Sequence, residues 1–346
     1  MTNSDYITGT YTLGDLEIPR VETRWSATDL WGTLKVRWSF GRMDYKVKPG
    51  LYAVGSPDRQ SLVFVSANYK LSFDHLRRAL EGMNAWILVI NTRGINVWCA
   101  AGKGIFSTKE VVRRIRIDHL DQVVDHRRLI LPQLSATGVA AHQVQKMTGF
   151  SVLFGPVKAV DIKAFVESGL KATEPMRMVT FPLKERLKVI PVDIFYGTHY
   201  LILIPALFFL LSGLSSGGYS FDRTLQHGWN PVVNLFAGYL TGCVVTPALL
   251  PWIPFRRFSL KGLLMGFLTA TLLLITGSFG TNPLEILAWF LMTAGLSSFM
   301  AMNFTGSSTF TSISGVQKEM KVALPVQIAL VAVGLALWIA SLFITL

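Results

Sequence analysis

The sequence predicts two structural halves, an α/β domain followed by an all-α domain of five membrane-crossing helices, and three observations predict it. Mean hydropathy is +0.41, with 51% hydrophobic and 16% charged residues, which is too apolar for an ordinary soluble chain. Charge is unevenly placed: of 33 basic and 21 acidic residues only six and three follow Ile194, which leaves 27 and 18 before it. Apolar runs in the first half are short and alternate with helical patterns, whereas those in the second are long enough to cross a bilayer, which takes about 20 residues. The reading divides the chain into domains 1–190 and 191–346.

In the first half, LVFVSA at 62–67 and AWILVIN at 85–91 read as buried strands. Asp74 is a candidate cap for the helix DHLRRALEG, which would end at Gly82. Ser107 or Thr108 caps STKEVVRRIR, with Glu110 in its first turn. LILP at 129–132 and FSVLF at 150–154 are further short strands, 138–147 and 161–168 read as helices, and MRMVTF at 176–181 as a last strand. This alternation predicts a Rossmann-like α/β domain around a largely parallel sheet. Residues 1–50 have no regular pattern, although they hold Trp25, Trp31 and Trp38.

The five expected spans run from about Phe195 to Gly213, Val232 to Ile253, Leu260 to Phe279, Leu284 to Met302 and Ala323 to Leu346. Lys184, Arg186 and Lys188 precede the first, Arg256, Arg257 and Lys261 join the second to the third, and Lys318 and Lys321 join the fourth to the fifth. All three groups fall on one side, opposite Arg223, so the first domain is expected in the cytoplasm and the C-terminus outside, in a cytoplasmic membrane. The polar start MTNSDYITGTYTLGD shows no apolar signal core. Charge within the spans is nearly absent, with Glu285 at a span end, so anchoring is the expected role of this half. NFTGSSTFTSISGVQKEM, 303–320, reads either as a flexible linker or as an ordered cap beneath the first domain.

The chain has two cysteines, too few for an iron–sulfur cluster or a structural zinc site. Cys243 lies in an apolar run. Cys99 lies in NVWCAAGK, a few residues beyond a predicted strand, and ligands in open α/β sheets sit beyond the carboxyl ends of the strands. Gly102-Lys103 is followed by Gly104 rather than Ser or Thr, so this is no phosphate-binding loop, and the dinucleotide fingerprint fails as well. His75, His119, His126 and His142 are present, but nothing in the sequence pairs one with Cys99 as a base. Two readings stay open: a small buried core residue, or a thiolate ligand to one metal held inside its own cofactor. Ala100, Ala101 and Gly102 are small enough for a flat ring to approach the backbone.

NVWCAAGKG followed by FST closely resembles the signature of the mercury-methylating corrinoid proteins, membrane relatives of the corrinoid iron–sulfur protein family. The loop at 303–320 is similar to the membrane part of that family, so the resemblance touches both halves. It implies a corrinoid (cobalamin or a related cobamide), with Cys99 as lower axial ligand to cobalt. It implies further that Asn96, Val97, Trp98, Ala100, Ala101, Gly102 and Lys103 form a cap helix beneath the ring, and that Thr108 is a contact. The Asp-x-His-x-x-Gly pattern of histidine-ligated corrinoid proteins is absent, which agrees with a thiolate. The implied activity is methyl transfer to Hg(II), forming methylmercury. The implied partners are a ferredoxin-like protein with two 4Fe–4S clusters, of the HgcB type, and a methyltetrahydrofolate-linked methyl donor system, with no nucleic acid. The alternatives are a membrane-bound methyl carrier of acetyl-CoA-type one-carbon metabolism, a non-catalytic corrinoid-binding protein, and a plain anchor with a structural cysteine.

Overall fold

The structure, a computed structural model, describes residues 5–14, 16–195, 198–308 and 313–344. The backbone divides into two compact units, Met1–Val36 with Phe40–Val179, and Arg37–Ser39 with Thr180–Leu346.

The first unit is built on a seven-stranded sheet. In chain order its strands are β1 (Ile7–Leu13), β2 (Leu16–Val21), β3 (Gly50–Val54), β4 (Val63–Ala67), β5 (Ala85–Ile90), β6 (Arg128–Leu131) and β7 (Ser151–Phe154). They lie in the order β1-β2-β3-β5-β4-β6-β7. β5, β4, β6 and β7 run parallel, β2 and β3 pair parallel, and β1–β2 and β3–β5 pair antiparallel. The sheet is therefore mixed. Its helices are α1 (Ala27–Arg37), α2 (Lys70–Ala79), α3 (Val97–Gly102), α4 (Thr108–Ile117), α5 (Leu120–Val123), α6 (Ala141–Thr148), α7 (Ile162–Glu167) and α8 (Glu174–Arg177).

Every residue of β4 and β5 is buried, because helices cover both faces of the sheet centre. Alternation along β5 sends Trp86, Leu88 and Ile90 to one core with Val111 and Ile115 of α4. Ala85, Ile87 and Val89 enter the other, with Phe73 and Leu76 of α2.

Three expectations change here. Residues 1–50, which lacked a legible pattern, supply β1, β2, α1 and the start of β3. The expected strand at 176–181 is absent, and Glu174–Arg177 instead forms a helical turn begun by Pro175. Asp74 does not cap a helix. α2 starts at Lys70 with Tyr69 at its cap position, and Asp74 is fully buried in its interior, bonded to Lys70 Nζ at 2.7 Å and Arg77 Nε at 2.8 Å. Asp29 of α1 completes the group, accepting from Lys70 Nζ and from Arg77 Nη2, each at 2.6 Å. Two cations and two carboxylates thus neutralise one another with every carboxylate oxygen engaged, the condition under which buried charge is tolerable. Burial alone would push the Asp29 carboxyl up. Hydrogen bonds from Lys70, the Ser26 amide and Arg77 outweigh it and hold the group well below the usual carboxylate range.

The second unit contains α9 (Leu183–Phe195), α10 (Thr198–Leu211), α11 (Phe221–His227), α12 (Trp229–Leu240), α13 (Thr246–Leu249), α14 (Phe258–Ile275), α15 (Pro283–Asn303) and α16 (Ile313–Phe343). A hairpin of two-residue strands, β8 (Leu214–Ser215) and β9 (Gly218–Tyr219), interrupts the otherwise helical order. Among the described residues, four helical stretches are long and apolar enough to cross a membrane, Phe221–Leu249, Phe258–Ile275, Pro283–Gly306 and Ser314–Phe343. α9 and α10 qualify together as a fifth only as a bent pair, at 58°. Exposed apolar side chains such as Leu268, Leu272, Val326 and Ile328 are compatible with insertion into a bilayer.

α14 and α15 pack through small residues. A Cβ at Gly262 would stand 2.6 Å from the Ser297 carbonyl oxygen, and one at Gly266 2.7 Å from the Ala294 Cα, so only glycine permits this approach. Charge inside this unit is rarer than in the first, but it is present. Lys261 lies within α14, not in a connection, and its ammonium donates to the carbonyls of Leu250 (2.6 Å) and Ile253 (2.5 Å). Glu319, also expected in a connection, is buried on α16 and accepts from the Ser259 amide at 2.6 Å. Both charges satisfy backbone groups that helix ends leave without partners. Within 303–320, Phe304–Ser307 is a 3-10 turn and Ile313 onward is helical, while 309–312 lie outside the described residues.

Candidate functional site

The parallel strands β4, β5, β6 and β7 end on one edge of the sheet, and β5 leads from there into residues 91–96 and the six-residue helix α3. Asn96 caps α3, its side-chain oxygen accepting from the Cys99 amide at 2.9 Å. The cap places Cys99 in the first helical turn. Its thiol is free and half-buried.

Helical periodicity divides α3 into two faces. Ala100 and Ala101 are buried and join the sheet core. This corrects the expectation that their small size makes room for a ring: it lets the helix seat closely on the domain. At Gly138, for example, a Cβ would lie 3.1 Å from the Ala101 Cα. Asn96, Cys99, Gly102 and Lys103 fall at three- and four-residue spacing on the outer side, where Gly102 and Lys103 are exposed. Val97 packs partly against the core and Trp98 is half-buried. Gly102 is therefore the small residue on the thiol's own face.

A network that sequence reasoning missed holds this platform. Asn68, buried just after β4, accepts through its side-chain oxygen from the Thr92 amide, the Thr92 hydroxyl and the Gly94 amide, each at 2.9 Å. Its own backbone carbonyl accepts from the Val47 amide at 2.9 Å, and Tyr45 O accepts from the Lys70 amide at 3.0 Å. Segment 45–47 thereby ties the loop to α2 and its buried charges. On the other side, Glu110 accepts from the Asn91 amide at 3.0 Å. Asn at the end of a buried strand, next to a loop needing acceptors, is a signal that was available in the sequence.

Thr108 begins α4, with Ser107 as its cap. The Thr108 hydroxyl accepts from the Ala140 amide at 2.9 Å, and its amide donates to Gly138 O at 3.2 Å. It holds the 138–140 segment beside α3. Two of the histidines weighed as bases have other engagements: His126 bonds the Ser61 carbonyl at 2.9 Å, and His75 packs edge-on to Trp25. Among the described residues no group of three or more His, Cys, Asp or Glu side chains converges to hold a metal. Cys99 is thus a single soft donor on a rigid, accessible helix. That arrangement suits a metal whose other positions are filled from elsewhere.

Residues 35–166, which include this whole platform, match the family described as CO dehydrogenase/acetyl-CoA synthase delta subunit, so this stretch is a domain of that family. The chain is 32% identical over 128 residues to the acetyl-CoA decarbonylase/synthase complex subunit gamma of Archaeoglobus fulgidus, and 31% over 128 residues to that of Methanopyrus kandleri; each alignment covers 36% of this chain and 27% of the relative. It is 27% identical over 127 residues to the corrinoid/iron–sulfur protein large subunit of Moorella thermoacetica, covering 36% of this chain and 28% of that one. The chain therefore spans little more than a quarter of the length of these relatives.

Proposed function

We propose that this chain is a membrane-attached corrinoid protein that transfers a methyl group to Hg(II), with the Cys99 thiolate as lower axial ligand to cobalt. One observation carries the reading. Cys99 stands half-exposed on an N-capped helix at the carboxyl edge of the sheet, within residues 35–166, the stretch that matches the CO dehydrogenase/acetyl-CoA synthase delta subunit family. The NVWCAAGKG signature supports mercury as the acceptor.

The residues present fit such a group. Cys99 offers one thiolate, Gly102 leaves the neighbouring backbone open, and Lys103 adds a cation on the same side. Asn96, Val97, Trp98, Ala100 and Ala101 fix the helix through its cap and inner face, and Thr108 steadies the adjoining segment. When bound, the corrinoid would supply a cobalt-carried methyl group able to pass to Hg(II) as a carbanion equivalent, with two electrons to be restored afterwards. The protein's part would be Cys99, whose thiolate is a strong electron donor to the metal and favours that polarity of transfer. The two cysteines of the chain cannot hold a cluster, so the electrons are assigned to a separate ferredoxin-like protein with two 4Fe–4S clusters. A methyltetrahydrofolate-linked system supplies the methyl group. The apolar helices anchor the chain in the cytoplasmic membrane, with the first unit in the cytoplasm.

A second reading is favoured by the family that matches residues 35–166 and by the names of the relatives: a membrane-bound methyl carrier for acetyl-CoA-type metabolism. The test is to load the full chain, anaerobically reduced, with isotopically labelled methyl-corrinoid and add Hg(II) bound to a small thiol. Labelled methylmercury from the wild type and none from Cys99→Ala is the expected result. If the loaded wild type yields no methylmercury but passes its label to a nucleophilic acceptor, the carrier reading replaces this one.

A further inference from the structure

Helix α1 faces the wrong way for water. Asp29, Thr33 and Val36, spaced along one face, are buried, while Leu30, Trp31 and Leu34 on the other are 56%, 57% and 47% exposed. Met43, in the turn that follows, is 72% exposed. A solvated helix on a globular domain buries its apolar stripe and shows its charges. Here a carboxylate and a hydroxyl point inward, and a tryptophan and two leucines point out.

The orientation is locked. Asp29 is gripped by Lys70 and Arg77, and it accepts from the Ser26 amide at 2.9 Å. Turning the apolar stripe inward would tear open the balanced charge group of α2. The outward face is therefore a fixed surface, and one this apolar calls for a cover.

We infer that α1 and the turn at 42–44 lie in the headgroup region of an anionic bilayer, as a second membrane contact separate from the apolar helices of the second unit. The chemistry of the face selects that occupant. Trp31 is amphipathic, and Lys35 Nζ lies 5.4 Å from its ring centroid, so an aromatic body and a cationic tip sit together as they do at membrane–water interfaces. Arg42 adds charge in the turn, and the exposed Asp44 there is offset by Lys46 at 3.8 Å. Leu30, Trp31, Leu34 and Met43 supply the apolar depth, and Lys35 and Arg42 the attraction to anionic lipid. The rest of the chain already carries helices long and apolar enough to cross a membrane, so a bilayer is the apolar medium at hand. Most of α1 also precedes residue 35, where the stretch shared with the matching family begins, so that stretch does not by itself account for this face.

The test uses the full chain in nanodiscs of equal parts phosphatidylcholine and phosphatidylglycerol. Trp31→benzoylphenylalanine and, separately, Leu34→benzoylphenylalanine place a photo-crosslinker on the face, and Glu81→benzoylphenylalanine is an exposed control. All three positions are exposed, so the core stays intact. After irradiation, mass spectrometry should find lipid adducts at 31 and 34 in several-fold excess over 81. The excess should fall several-fold in phosphatidylcholine alone or with Lys35→Glu. Crosslinks to peptides from 180–346 would assign the face to the chain's own second half and overturn the inference. Lipid adducts no more abundant than at the control would overturn it too.

Discussion

The chain's two cysteines lie in regions built on opposite rules. Cys99 sits in a six-residue helix at a sheet edge, capped by Asn96 and half-exposed. Cys243 sits in a π-helical turn, Thr241–Val245, between α12 and α13, fully buried against Tyr239 and Met300. Around Cys99, polar groups satisfy one another: Asn68 with the 91–96 loop, and four buried charges in a closed group. Around Cys243, apolar packing prevails, and elsewhere in the same unit the charges of Lys261 and Glu319 bond backbone groups. A thiol becomes available for chemistry through the backbone that presents it and the face it occupies. Residue type alone does not decide it.

Four experiments test that contrast, the largest expected effect first. Cys99→Ala should reduce methyl transfer to background while shifting stability by no more than about 1 kcal/mol, because its half-buried side chain leaves little cavity. An activity assay beside a denaturant melt checks both halves of that statement. Equal loss from Cys243→Ala would erase the distinction.

Asp29→Asn should destabilise the first unit by about 3–5 kcal/mol, since it removes one of two buried carboxylates and leaves Lys70 and Arg77 to share the single charge of Asp74. Native-state hydrogen exchange of the β4 and β5 amides reads this. pH sharpens it. A carboxyl held below its ordinary value stabilises fully above that value, near pH 3.9, and loses the contribution as pH falls from there through the depressed one. Wild-type protection in β4 and β5 should therefore decline below about pH 4, and the Asp29→Asn protein should show a flatter acid limb. The second unit, with five acidic side chains from Thr180 onward, should respond less. Parallel acid profiles for wild type and variant would refute the assignment.

Asn68→Ala removes the acceptor for three donors at the base of the Cys99 loop and should cost about 1–3 kcal/mol. The loss should come with weaker corrinoid binding, read by titration followed in the visible spectrum. Normal binding in a destabilised protein would reduce Asn68 to a stability role. Cys243→Ala should be the mildest, about 1–2 kcal/mol for a small cavity, with methyl transfer unchanged.

Much of the site was legible because it is local. The strand at 85–90, the Ser107 cap and the cysteine motif are contiguous, and hydrophobic runs with cap residues report directly on such elements. What failed was non-local. Asp74 has the look of a cap because Asp ordinarily is one, and only the approach of Asp29 from α1, which shares Lys70 and Arg77 with it, makes it an interior group. MRMVTF has the apolar content of a strand, but its first two residues are taken into the helical turn Glu174–Arg177, which has Pro175 in its first turn. That Ala100 and Ala101 of NVWCAAGK are buried against the sheet core was not legible, because a six-residue helix carries too little periodicity to orient it. The inverted pattern of α1 is unreadable without knowing that its polar residues have buried partners.

The sequence by itself determined that a polar, basic α/β half precedes an apolar helical one, and that a rare thiol follows a central strand. Composition and short-range hydrophobic period report on burial and local backbone, and those need no partner. Only the tertiary structure decided which face of α3 carries Cys99, that Asn68 holds its loop, and that Asp29 forces the apolar side of α1 outward. Each of these depends on groups distant in the chain meeting in space, where a buried polar atom must find its partner and a close approach must find a glycine or an alanine.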